Sequence, residues 1–179
     1  RVNLGTLQIA AAAPDTNPLF YKFATPPAVN ATASTTAADA LVVNGGGTLD
    51  LGGNSQVFGT FTSTGTLPGT GGVVTSSAGD FYVNQATAGT FAGQITGAVN
   101  FLKTGTTTLT LTDNNTYTGT TTIMGNVLSL ADQGRLSGTS AVFINNAVLR
   151  WDDSGIQAMN NRLGSSVGIT LDGGAFEFI

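Results

Sequence analysis

Asp152 and Asp153 form the one adjacent acidic pair in this chain of 179 residues. Two carboxylates are the minimum for paired acid–base work, but neighbours on a strand point to opposite faces, so a solvated turn is the plainer reading. Asp113-Asn114-Asn115 and Asp50-Leu51-Gly52-Gly53-Asn54 offer oxygen ligands. Neither has the spacing of the twelve-residue calcium loop or of the nonapeptide Gly/Asp calcium repeat, which leaves weak surface Ca2+ binding. Ser137-Gly138-Thr139 and Ser165-Ser166 carry hydroxyls with no base beside them, and a Ser–His arrangement is impossible because the chain has no His. It also has no Cys, so the commonest thiol nucleophile is missing and no disulfide staples the fold. No GK[ST] follows any glycine run, which excludes a phosphate loop. These residues therefore assign no catalytic group, no cofactor and no metal. A net charge of −4 with no basic patch argues against nucleic acid as a partner.

The elements around these residues explain why chemistry is sparse. Only 9% of the chain is charged, against ~25% in typical soluble domains, while Gly, Thr, Val and Leu abound. That balance favours strands and tight turns over helices. From Thr107 to Leu130 the chain reads strand, polar corner, strand, glycine corner, strand: Thr108, Thr110 and Thr112 alternate with Leu109 and Leu111, and Val127-Leu128-Ser129-Leu130 follows Gly125-Asn126. Period-2 alternation marks half-buried strands. Apolar pairs recur at Leu109/Leu111, Leu128/Leu130, Leu149/Trp151 and Ile169/Leu171, in steps of 19, 21 and 20 residues. Leu7/Ile9, Leu41/Val43, Leu49/Leu51, Val73/Val74 and Phe81/Val83 are earlier candidates; between Phe58 and Phe101 the registration is poorer. A fixed period of this length is the signature of a solenoid. Glycine pairs, and Asn at 44, 54, 84, 114, 126 and 145, supply corners that accept a left-handed backbone. Ordinary hairpins of a sandwich or barrel are the competing explanation.

Two segments depart from the period. Residues 11–40 hold Pro14, Pro18, Pro26 and Pro27, and proline is excluded from central strands, so a loop leaving the coil and returning near Leu41 is expected. Its Phe20, Tyr21 and Phe23 either cover one side or an end of the coil or offer a contact patch to a partner. In Asp152–Ser166, Ile156, Met159 and Leu163 stand at helical spacing behind Asp153 or Ser154 as caps, which predicts a short helix or turn on the coil. Val2–Ile9 aligns without gaps on Ile123–Leu130, and Gly173–Ile179 stops in a strand. Both ends read as cuts through repeats, so the expectation is an interior piece of a longer array, or one stacking end to end on copies of itself.

Phe101-Leu102-Lys103-Thr104-Gly105-Thr106-Thr107-Thr108-Leu109-Thr110-Leu111 and Asn115-Thr116-Tyr117-Thr118-Gly119-Thr120-Thr121-Thr122-Ile123 resemble the autotransporter-associated β-strand repeat of bacterial autotransporter passengers and related giant surface proteins. That pattern runs Leu-x-Lys-x-Gly, Gly-Thr-Leu-Thr-Leu, Asn-Thr-Tyr-Thr-Gly and Thr-Thr-Val, closed by Gly-x-Leu. Thr106 and Thr107 stand where a Gly is usual, and Asn126-Val127 replaces Gly-Thr. Gly47–Gln56 and Ala147–Trp151 also look like strands and corners these proteins use between repeats. The resemblance is specific over 99–130, weaker over 1–10, 41–67 and 131–179, and absent over 11–40. It implies a right-handed parallel β-helix exported to the bacterial cell surface, with no catalytic residues to carry over.

The expected fold is therefore all-β: a single-stranded parallel β-helix of about seven turns and ~35 Å, with Leu, Ile, Val and Phe inside and Thr and Asn outside or at corners. The expected function is a non-enzymatic stalk or scaffold segment of an extracellular, surface-associated protein or fibre, partnered by neighbouring repeats or copies of itself. An adhesin-type module that binds a host or cell-surface glycan or protein is the second reading. A parallel β-helix polysaccharide lyase or hydrolase is the third, and it would need clustered acids and bases that this chain scatters.

Overall fold

The computed structural model describes residues 1–9 and 40–179. The loop expected at 11–40 lies outside the described residues except for Ala40, which opens a strand. No helix occurs among the described residues, and every named strand pairs in parallel. The chain winds about 5 turns of a solenoid.

Its course is three-sided. β1 (Gly5–Gln8) lies on the third side of the coil. β2 (Ala40–Val42) and β3 (Gly47–Asp50) follow on the second and third sides. Full coils then run β4 (Gln56–Phe58), β5 (Thr60–Thr62), β6 (Val73–Ser76); β7 (Asp80–Asn84), β8 (Gly89–Phe91), β9 (Gln94–Gly97); β10 (Asn100–Thr104), β11 (Leu109–Leu111), β12 (Asn114–Asn115); and β13 (Thr121–Met124), β14 (Val127–Ala131), β15 (Arg135–Leu136). β16 (Ala141–Asn145) and β17 (Val148–Asp152) continue into a bridge at Leu163, and β18 (Gly168–Asp172) and β19 (Ala175–Phe178) form the last, two-sided coil. The first side is a six-stranded sheet, β4-β7-β10-β13-β16-β18. The second is β8-β11-β14-β17-β19, with β2 and β5 packed ahead of it.

Register builds the core. Phe81, Phe101, Thr121, Val142 and Ile169 stack in one inward column, and Val83, Lys103, Ile123, Ile144 and Leu171 in the next. Leu109, Leu128, Leu149 and Phe176 form a column on the second side, beside Phe91, Leu111, Leu130, Trp151 and Phe178. Leu49, Val74 and Ile95 fill the third side. These side chains are almost all fully buried away from the coil ends. Each large one contributes ~1.5–3 kcal/mol by leaving water. Aromatics join neighbouring columns: Phe81 packs edge-on against Phe58 and Phe61 with ring centroids 5.5 and 5.0 Å away.

Several sequence expectations shift. Ile169/Leu171 does not continue the Leu149/Trp151 column; it stacks on Val142/Ile144, and Phe176/Phe178 continues the second side instead. The apparent 20-residue step there was accidental, because the 153–163 segment lengthens that coil: Val142 pairs with Ile169. Likewise β1 pairs with β3 on the third side, not in the column of Leu128/Leu130. The coil between Gln56 and Phe81 is lengthened by an excursion over 63–72, which obscured the registration there. The chain completes about 5 turns, or ~24 Å of rod at the strand spacing, rather than the expected seven, because two coils are lengthened and the strands at either end form incomplete coils.

Of the Asn expected at left-handed corners only Asn126 takes a positive φ, and Asn84 and Asn114 lie in β7 and β12. Asn126 takes φ 52 and Asn146 φ 48, while the expected Asn145 lies in β16. Asn126 secures its left-handed backbone by donating from Nδ2 to the Thr106 carbonyl at 2.9 Å, while its Oδ1 accepts from the Val127 N–H. Between the second and third sides the limit is steric: a Cβ on Gly93 would land on the carbonyl oxygen of Gly72 in the coil before it.

Of the short helix or turn expected in Asp152–Ser166, the helix does not form, and the segment runs through bends and a turn. Leu163 is buried, but Ile156 is 73% exposed. The carbonyls of Asp152 and Gln157, which helical bonding would use, accept from the Arg162 guanidinium instead.

Candidate functional site

Polar side chains turned inward are the chemically distinctive feature of this coil, since Thr and Asn were expected outside. Asn115 occupies an inward position on β12. Its Oδ1 accepts from the Ile95 N–H at 3.0 Å, and its Nδ2 donates to the carbonyls of Asp113 and Arg135. One amide thus replaces ladder bonds between three coils. Gln85 does the same where β5 passes β8: Oε1 accepts from the Phe61 N–H, and Nε2 donates to the carbonyls of Phe61 and Thr87. Buried main-chain groups need such partners, and a side-chain amide supplies both a donor and an acceptor.

A hydroxyl chain lies at the corner entering β13. The Tyr117 hydroxyl is 2.5 Å from Thr121 Oγ1, which is 2.9 Å from Thr139 Oγ1, which donates to the Gly119 carbonyl. If Tyr117 donates first, each hydroxyl gives one hydrogen bond and the two threonines each accept one. All three residues are buried. Burial raises the Tyr117 pKa, outweighing the opposite pull of Thr121 and Thr139.

Lys103 stands in the aliphatic column between Val83 and Ile123 and is fully buried. Its Nζ donates at 2.7 Å to each of two carbonyls, Thr107 in its own corner and Gly125 in the next coil. Burial lowers its pKa to about 8. In the sequence this residue lies in the Phe101–Gly105 stretch that carries the repeat resemblance.

Arg162 gave no such signal. It too is fully buried, with NH1 on the carbonyls of Asp132 and Gly134 and NH2 on the Asp152 carbonyl and Asp153 Oδ1. The guanidinium closes the 153–163 loop onto the coil. The Asp153 carboxyl is held below its ordinary pKa, chiefly by the Arg162 hydrogen bond. Asp152 and Asp153 therefore have separate structural tasks, since Asp152 Oδ1 accepts from the Ser154 N–H and hydroxyl.

The remaining sequence candidates are local devices. Asp50 Oδ1 accepts from the Gly52 N–H, and Asn54 Nδ2 donates to the Leu51 carbonyl. Asp113 Oδ1 accepts from the Asn114 N–H. Among the described residues no three of His, Cys, Asp and Glu converge to hold a metal ion. Ser137 and Thr139 bond main-chain carbonyls. Thr112 is buried beneath the 63–72 excursion, donating to the Thr66 carbonyl, so Thr108, Thr110 and Thr112 do not form a continuous exposed ladder. Phe20, Tyr21 and Phe23 lie outside the described residues.

Two outer surfaces are more open. A shallow groove of about 430 Å³ follows the corner at Asn126, Asn146 and Gly173–Ala175. On the first side, Tyr82, Leu102 and Thr122 share the outward column with Phe143, which is 41% exposed, and Met124 beside it is 45% exposed. Asp80 edges this stripe, accepting from Ser55, Tyr82 and Asn100. No protein-family model, curated protein or solved structure matches this chain.

Proposed function

We propose that this chain is a non-enzymatic structural segment, a rigid stalk or scaffold, of an autotransporter-like bacterial surface protein or extracellular fibre. The observation that carries the reading is the use made of the buried polar groups. Lys103, Asn115, Gln85 and Arg162 aim their donors chiefly at main-chain carbonyls of their own or neighbouring coils. An active site instead leaves such groups directed into a cleft. The core is built of continuous ladders, and the last coil presents Ile169, Leu171 and Phe178 at 42, 53 and 66% exposure. This reading expects neighbouring repeats or copies of this chain as partners. The cell-surface assignment rests on the Phe101–Ile123 resemblance. Negative-stain imaging of the purified chain, alone and as a tandem fusion, tests the stalk reading. Particles that lengthen along one axis by the added coils support it, and round particles in both samples refute it.

The outward stripe of Tyr82, Leu102, Met124 and Phe143 favours a second reading, an adhesin-type module, because exposed apolar patches rimmed by polar groups mark contact surfaces. A glycan array and a cell-adhesion assay, each run against Phe143→Ser, distinguish it from a plain spacer. Binding lost in the variant supports adhesion, and no binding by either protein supports the spacer.

A further inference from the structure

Lys103 has a property that a filler of the aliphatic column does not need. Its amine is fully buried and meets two acceptors, the Thr107 and Gly125 carbonyls, both at 2.7 Å. A neutral amine has two N–H bonds to give, and these carbonyls take both. An ammonium has three, and its third would face the apolar column unpaired. Among the described residues no carboxylate supplies a counter-charge. The ion pairs among the described residues are Arg150–Glu177 and Arg162–Asp153, both in later coils. Of the strands around it, β13, β11 and β14 carry no titratable group. β7 carries Asp80 and Tyr82; the Asp80 carboxylate is held by Ser55, Tyr82 and Asn100, and Tyr82 alternates with the inward positions Phe81 and Val83.

The two carbonyls belong to successive corners between the first and second sides, where Gly105 and Gly125 both have positive φ. We propose that Lys103 is a pH-responsive clip, joining these corners best as a neutral amine and less well once protonated, so that this coil pair is a joint whose strength follows proton concentration. The inference is independent of whether the rod is a stalk or an adhesin. Its sign follows from linkage. Burial puts the folded pKa at about 8, below the ordinary lysine value of 10.5, so between those limits the unfolded chain holds the extra proton. Stability therefore rises with pH across that window and is flat with respect to this group below it.

The chain contains only two lysines, Lys22 and Lys103, so Lys22→Arg leaves one. In that protein, labelled with 13C-lysine, the single Cε signal is followed against pH in the folded state. A midpoint near 8 supports the clip, and a midpoint at or above about 10, the ordinary lysine range, overturns it. Independently, equilibrium unfolding of the wild type and of Lys103→Met is compared at pH 7 and 9.5. The wild-type folding constant is expected to rise on the order of tenfold relative to the variant's. Parallel pH profiles for the two proteins overturn the proposal. The first measurement does not depend on Lys103→Met folding.

Discussion

Replacing Arg162 by Met tests how the coil between Val142 and Ile169 is closed. Methionine keeps most of the aliphatic volume and removes every guanidinium donor. Four main-chain carbonyls lose a donor: Asp132 at 3.0 Å, Gly134 at 2.8 Å, Asp152 at 2.9 Å and Gln157 at 3.5 Å. Hydrogen bonds from a charged donor are worth about 1.5–3 kcal/mol each, but removing the guanidinium also relieves its own desolvation. The net cost expected is about 3–5 kcal/mol, because each buried carbonyl left without a donor costs about 1–3 kcal/mol. Asp153→Asn is the informative contrast, because the Asp153 side chain is 40% exposed and water replaces its partner readily. Urea unfolding of both variants, with hydrogen exchange at the Ile156 and Met159 amides, is the assay. Those amides donate to Asp132 and Asp153 and should lose protection in Arg162→Met while the β10–β13 ladder keeps its own. A cost below about 1 kcal/mol in Arg162→Met, or an equal midpoint shift in Asp153→Asn, would show that the main-chain carbonyls are not what this arginine secures.

Other perturbations separate inside from outside. Leu111→Asp places a carboxylate in the second-side column and should prevent folding, whereas Thr110→Ser, on the outward position between them, should leave expression and thermal midpoint nearly unchanged; equal yields of the two would contradict the assignment. Gly93→Ala should cost several kcal/mol although it adds one methyl, because its Cβ meets the Gly72 carbonyl; a stability within about 1 kcal/mol of wild type would argue against so close a corner. Tyr117→Phe removes the first donor of the hydroxyl chain and should cost about 0.5–1.5 kcal/mol by chemical denaturation, and a stabilised variant would refute the network. The Asp153 pKa is depressed, so the stability it adds is present above the ordinary carboxylate range and is lost as pH falls through the folded value. An acid-unfolding profile unchanged by Asp153→Asn would exclude that contribution.

The strands and their parallel stacking were legible because Leu109/Leu111, Leu128/Leu130 and Leu149/Trp151 really are consecutive coils. Ile169/Leu171 misled because an insertion of nearly the right length moved the period onto a different side. Helical spacing over Ile156, Met159 and Leu163 also misled: one arginine captured the carbonyls a helix needs. The buried polar groups were the least legible. Lys103 appeared in a repeat motif, and Asn115 at a corner where a turn was expected. Whether a side chain on a short strand turns in or out depends on register, which one-dimensional alternation does not fix when β12 has two residues.

Everything rests on adjacent coils lying parallel and in register. The chain has no native Cys, so engineered pairs report cleanly. Thr90 and Thr110 are register partners on β8 and β11, whereas Thr90 and Ser129 lie two coils apart. Adjacent strands are ~4.8 Å apart, within disulfide reach, and two coils are ~9.6 Å apart, beyond it. The account predicts rapid intramolecular oxidation of Thr90→Cys/Thr110→Cys and none for Thr90→Cys/Ser129→Cys. Crosslinking of the second pair with failure of the first would contradict the stacked coil.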